Sequence, residues 1–210
     1  MPPTPSLQRD DIVDAAIRIL ERDGVDGLSM RRLAVELGSK PMTLYHYVPN
    51  KSVLLSLALS DIAARIPWQS PTGPPRTRMV TIVMDMYDKL GAIPWVVAIL
   101  RLGTNVGTPA LALADEFFAA ASEIGLDDQD TLDLWRSTWY LVVSELHWQD
   151  VMSRRGADDR SWYETIDPAE VADMPQVSAL LPRWGELSRA FDLHRAVEAQ
   201  IDGVVARVRG

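Results

Sequence analysis

Between Arg31 and Lys51 the chain gathers side chains able to meet a polyanion and the edges of bases: Arg31, Arg32, Lys40, Thr43, Tyr45, His46, Tyr47 and Lys51. Cations and hydroxyl donors suit phosphate oxygens, while threonine, histidine and arginine also fit the donor and acceptor pattern of a base edge. Other chemistries find no foothold. The chain has no cysteine, which excludes a disulfide framework, a thiolate metal site and a cysteine nucleophile. His46, His147 and His194 are far apart and form no recognisable ligand set, so no metal site and no cofactor is expected. No G-x-S-x-G, HExxH or phosphate-loop pattern occurs, and no catalytic residue is named.

The elements that must hold these groups can be read around them. Ser29 precedes an apolar run and is an N-cap candidate, its hydroxyl accepting from a free amide of the first turn. Leu33, Ala34 and Leu37 then recur at three- and four-residue steps, and Gly38 ends this short helix. Pro41 fits the first turn of a second helix, which buries Leu44 and Val48 and turns Lys40, Met42, Thr43, Tyr45, His46 and Tyr47 outward. Two short helices about a turn containing glycine make a helix-turn-helix. Asn50 reads as the N-cap of a further helix through Val53, Leu54, Leu57, Ala58 and Ile62, with Lys51 in its first turn. A cation there opposes the helix dipole unless an anion such as phosphate sits above both lysine and amides. Upstream, Leu7 to Asp23 keeps helical spacing through Ile12, Ala15, Ala16, Ile19 and Leu20, and Gly24 and Gly27 bracket a loop.

With those residues in place, the segment 7–65 resembles the DNA-binding domain of TetR-family transcriptional regulators. The resemblance rests on AAIRILERDGVDGLSMRRLAVELG and TLYHYVPNKSVLL, with Gly24, Ser29, Leu33, Ala34, Leu37, Gly38, Leu44, Tyr45, Tyr47, Asn50, Lys51 and Leu54 at the family's positions. It implies that Tyr45 and Lys51 bind phosphate, and that Arg31, Pro41, Met42, Thr43, His46 and Tyr47 lie at or near bases. The expected DNA-contact set is therefore Ser29, Arg31, Lys40, Pro41, Met42, Thr43, Tyr45, His46, Tyr47 and Lys51. Pro41 and Met42 make the start of the reading helix apolar, a departure from the family, as is Pro49.

Net charge is -8, against the usual balance of a nucleic-acid binder, but it is unevenly placed. Residues 1–65 carry 8 basic and 8 acidic side chains, and residues 66–210 carry 13 and 21. The acidity belongs to the second part. The start MPPTPSLQRDD has neither a basic nor an apolar block of a secretory signal, and no apolar run of about 18 residues occurs, so a cytoplasmic protein with no membrane partner is expected. Residues 1–6 are proline-rich and expected to be disordered. Pro67, Pro71, Gly73, Pro74 and Pro75 mark the clearest boundary, dividing a helix-turn-helix domain at 1–66 from a second domain at 76–210.

Beyond that boundary the pattern is helical throughout, making the fold all-α. Helices are expected at 76–90, from Trp95 to about Leu102, at 109–124, at about 128–152 and at 184–208, with a polar loop at 154–175. All 7 tryptophans follow the boundary. Together with Met84, Tyr87, Arg101 and Asn105, the indoles Trp95, Trp135 and Trp139 suggest an apolar cavity between the 76–105 and 128–148 helices, as alternative to plain core packing. The helix at 128–152 is apolar nearly all round and the last helix carries a long stripe, so the two are expected to pair with their copies as a four-helix bundle. Val143, His147, His194, Val197, Ile201 and Val204 are the expected dimer contacts. Taken with the resemblance, these features describe a homodimeric, ligand-responsive repressor of a near-palindromic operator on double-stranded DNA, released by a small effector. The alternatives are a helical adaptor using its helix-turn-helix for protein contacts, and an all-α enzyme.

Overall fold

The computed structural model describes residues 7–100, 111–156 and 159–209, and all regular structure among them is helical. Arg101 and Asn105, the expected helix end near Leu102 and the expected break at Gly103 to Pro109 lie outside the described residues.

Helix α1 (Arg9–Gly27) buries Ile12, Ala15, Ala16, Ile19 and Leu20 along one stripe, and Gln8 and Asp11 close a capping box at its start. The expected loop after Asp23 is a kink instead. Gly24 alone leaves helical geometry, with φ 68°, and a last turn follows to Gly27. Helices α2 (Met30–Glu36), α3 (Pro41–Tyr47) and α4 (Lys51–Arg65) come next. Ser29 and Asn50 cap α2 and α4 as expected, accepting from Arg32 N at 3.2 Å and Val53 N at 2.9 Å. Gly38, at φ 58°, closes α2 in a left-handed conformation that a Cβ disfavours.

Helix α5 (Pro75–Gly91) follows the proline-rich linker, then α6 (Pro94–Leu100), α7 (Leu111–Ile124) and α8 (Asp128–Ser153), the last capped by Asp127. Short 3-10 turns at Trp162–Glu164 and Pro168–Val171 lead into α9 (Pro175–Leu180). The single helix expected at 184–208 is two: α10 (Trp184–Arg189) and α11 (Leu193–Arg209). Asp192 accepts from Arg195 N at 3.2 Å, so an N-terminal capping bond breaks what periodicity alone reads as continuous.

Two cores result. The first joins α1 to α4 through Ile12, Leu20, Leu33, Leu44 and Leu54, and it also takes in Trp95, Val96 and Ile99 of α6. The second packs Val83 and Met86 of α5, Phe117 and Ala121 of α7, Leu134 and Val142 of α8, and Val197 and Ile201 of α11. The proline-rich stretch thus separates two chain segments, while α6 packs with the segment that precedes it.

The linker itself is pinned. Asp85, 4% exposed, accepts from Gln69 N at 3.0 Å and pairs with Lys89 Nζ at 2.7 Å. Lys89 also donates to the Pro67 carbonyl and lies 5.7 Å from the centre of the Trp68 ring. Trp68 Nε1 in turn donates to Ala63 O at 2.8 Å, tying the end of α4 to α5. A carboxylate this buried is tolerable only because its oxygens are paired.

Candidate nucleic-acid interface

The orientation of α3 follows from two anchors. Leu44 and Val48 have no exposed surface, and they fix which side of the helix faces out. Lys40, Pro41, Met42, Tyr45, His46 and Tyr47 are exposed on the other side, with Thr43 half-buried. This is the arrangement expected from the sequence.

The structure separates the two adjacent arginines. Arg32 reaches Asp23 at 2.6 Å and Gly27 O at 3.1 Å, clasping the end of α1. Arg22 completes the brace, bonding Asp23 at 2.7 Å and Glu36 at 3.4 Å. The hydrogen bond to Asp23, then that to Glu36, holds the Arg22 guanidinium further above its usual value. Arg31 is exposed and has no carboxylate partner among the described residues. Two acids and two cations are consumed in the brace, and on α2 and the start of α3 the exposed cations outside it are Arg31 and Lys40.

Two expected contacts carry a structural duty as well. The Lys51 ammonium, placed over phosphate by the sequence argument, donates to Val25 O at 2.8 Å. The carbonyl at the end of α1 thereby shares the cation's three donors with any phosphate. The Ser29 hydroxyl is occupied as the α2 cap. On the far side, Arg65 bridges Asp14 at 2.9 Å and Asp61 at 2.5 Å, bracing α1 against α4.

The expected cavity residues divide. Met84, Tyr87, Trp135 and Trp139 are partly buried against the second core. Trp135 sits 5.2 Å from Phe117 and 6.0 Å from Phe118, ring centre to ring centre, and Tyr87 OH accepts from Gln149. Trp95 is not with them. It is 5% exposed in the first core, because α6 turns its apolar side to α1, and its Nε1 has no hydrogen-bond partner among the described residues. It borders a cleft of about 580 Å³ between the end of α1, α6 and the end of α8, rimmed by Glu21, Asp23, Asp26 and Asp150.

The expected dimer contacts divide as well. Val197 and Ile201 are fully buried within the subunit, since the stripe Leu193, Val197, Ile201 and Val205 packs onto its own second core. Val204 is half-buried and His194 is exposed beside Glu198 at 3.4 Å. On α8 the buried row is Leu134, Thr138, Val142 and Leu146, while Leu132, Tyr140 and Val151 are exposed on the other side, with Val143 and His147 half-buried. Sequence reasoning missed the Arg32–Asp23 clasp and the Asp85–Lys89 pair. The second had a signal, an acid and a base four apart on one helix.

A first helix braced across two short helices, the second presenting mixed polar groups outward, defines a helix-turn-helix protein with an all-helical second part. Residues 12–58 match the family model for bacterial regulatory proteins of the tetR family. The helix-turn-helix segment is therefore that of the TetR family. The chain is 29% identical to the transcriptional repressor DrrR1 of Streptomyces coeruleorubidus over 174 residues, 79% of this chain and 64% of that protein, so it spans just under two thirds of that relative. A transcriptional regulator of Saccharopolyspora erythraea is 29% identical over 205 residues, 96% of this chain and 86% of that one. Among solved structures, apo ActR of Streptomyces coelicolor has TM-score 0.74 at 22% identity, covering 97% of each chain. ActR with actinorhodin has TM-score 0.73 at 21% identity and the same coverage. BioQ with its double-stranded operator has TM-score 0.66 at 22% identity, covering 96% of this chain and 99% of that. These likenesses show the fold. No helix among the described residues is long and apolar enough to cross a membrane.

Proposed function

We propose that this chain is a cytoplasmic, homodimeric transcriptional repressor that binds operator DNA through α2 and α3 and is released by a small apolar or aromatic effector held in its second domain. The observation that carries the reading is the division of the two arginines. Arg32 is spent on the brace, whereas Arg31, Lys40, Tyr45, His46 and Tyr47 stand exposed on the helix-turn-helix. Such a set matches base edges and phosphates, and a catalytic constellation has no counterpart in it.

The effector part is supported by partly buried Met84, Tyr87, Trp135 and Trp139 beside the second core, and by ActR, a protein of similar fold solved with actinorhodin. The dimer is supported by the large hydrophobic side chains Leu132, Tyr140, Trp148 and Val151 that one subunit leaves exposed on α8. Thermodynamic linkage then requires operator and effector to weaken each other by the same factor.

Selection of bound duplexes from a random library by the full-length protein tests the DNA part. Enrichment of a near-palindrome with half-sites about one helical turn (34–36 Å) or a multiple apart is expected. A pool with no enrichment, and no salt-dependent duplex binding, would favour the adaptor reading.

A further inference from the structure

The reading helix presents one large side chain that has no polar group to offer a base. Met42, second residue of α3, is 70% exposed. Among the described residues of the first four helices, the large hydrophobic side chains left open are Val35, Met42, Tyr45 and Tyr47. The tyrosines have hydroxyls, and Val35 lies on α2, outside the reading helix. Met42 cannot be relieved by turning inward, because Leu44 and Val48 already hold the opposite side of α3 in the core.

We propose, building on the operator-binding reading above, that Met42 reads thymine by packing on its C5 methyl, and that each operator half-site carries a thymine facing this residue. A thioether has no donor and is a weak acceptor, so it can neither hold a phosphate nor distinguish bases by hydrogen bonds. The major groove offers donors, acceptors and one methyl group, and only thymine carries the methyl. The first turn of the second helix is the part of a helix-turn-helix that meets base edges. Pro41, immediately before it, brings no N–H, so the start of α3 favours an apolar neighbour over an acceptor. An unbranched, polarisable chain can settle on a methyl whose position is set by the polar contacts around it.

The test uses full-length protein and duplexes selected by it from a random library. Replacing each thymine in turn by uracil keeps base pairing and removes only the methyl. One thymine per half-site is expected to lose affinity on the order of fourfold, the worth of one methyl taken out of water. Met42→Ala is expected to bind the thymine duplex correspondingly less well and to treat thymine and uracil alike. Because Met42 is exposed, that variant should melt with the wild type. Uracil tolerated at every thymine, or the same thymine preference in Met42→Ala, overturns the assignment while leaving operator binding intact. A protein that selects no duplex overturns the operator reading itself, and with it this one.

Discussion

Arg32 Nη2 donates to Asp23 Oδ2 at 2.6 Å across the junction of α1 and α2, and this contact decides which of two neighbouring arginines is available. Arg32→Ala should lower the unfolding temperature, by the equivalent of about 0.5–1 kcal/mol for a half-exposed pair. Arg31→Ala should leave melting unchanged and cost about 1–3 kcal/mol in binding at particular operator positions. Thermal melts and titrations on selected and scrambled duplexes separate the two. Equal binding losses on both duplexes for Arg31→Ala would remove it from base reading.

Gly27 belongs to the same junction. A Cβ built there would lie 2.5 Å from Asp23 Cβ and 3.2 Å from Arg32 Nη1. Gly27→Ala should therefore spread the clasp and destabilise by about 1–3 kcal/mol, the usual range for overpacking. Urea unfolding measures it. An unchanged midpoint would mean that the end of α1 yields freely.

Lys51 should reveal both of its duties. Lys51→Ala removes one of the two donors to the Val25 carbonyl, which keeps Leu28 N at 3.3 Å, at a cost of about 0.5–1.5 kcal/mol without any DNA present. With DNA, a lost phosphate contact should also reduce the salt slope by about 1 on every sequence. A melt identical to wild type with a shallower slope would assign the lysine to phosphate alone.

The face of α8 that carries Tyr140 and Val151 can be set against the α11 stripe. Tyr140→Glu with Val151→Glu should give folded monomers by sedimentation, because both side chains are exposed in the subunit. Ile201→Glu should instead unfold the subunit, since it places a charge where exposure is 0%. A double mutant that remains dimeric would move the interface elsewhere.

Acid should loosen the link between α5 and α11. Arg76 bonds Asp202 at 2.5 Å and Glu198 at 3.1 Å, and the Arg76 hydrogen bond holds Asp202 below its ordinary 3.8. A carboxylate lowered in the folded state adds stability that is complete above its unfolded value and is lost as pH falls through the folded one. The loss therefore belongs below about pH 4. Melting temperature against pH should fall less steeply there for Asp202→Asn than for wild type; parallel curves would show that solvent already screens the pair.

The parts of this molecule that were legible in the sequence are those governed by local rules. Ser29, Asn50, Gly38 and Pro41 act within one turn of themselves, and each stands at the helix end expected for it. The outward set on α3 follows from Leu44 and Val48 by periodicity alone. What escaped was settled by partners distant in the chain. Periodicity sees the stripe of Val197 and Ile201 but cannot say whether its own subunit or a copy covers it. The choice between Arg31 and Arg32 depended on Asp23, nine residues upstream, and the place of Trp95 on a helix packing across the proline-rich linker.

The packing of α6 has a consequence for handling this domain as a module. Trp95, Val96 and Ile99 fill part of the core formed by α1 to α4 although they follow the linker. A fragment cut at residue 66 would leave that part of the core bare to water, and a chimera joining this reading head to another regulator's effector domain would meet foreign side chains there. A joint moved to the end of α6 keeps that core whole, but it carries α5 along and strips the second core of Val83 and Met86.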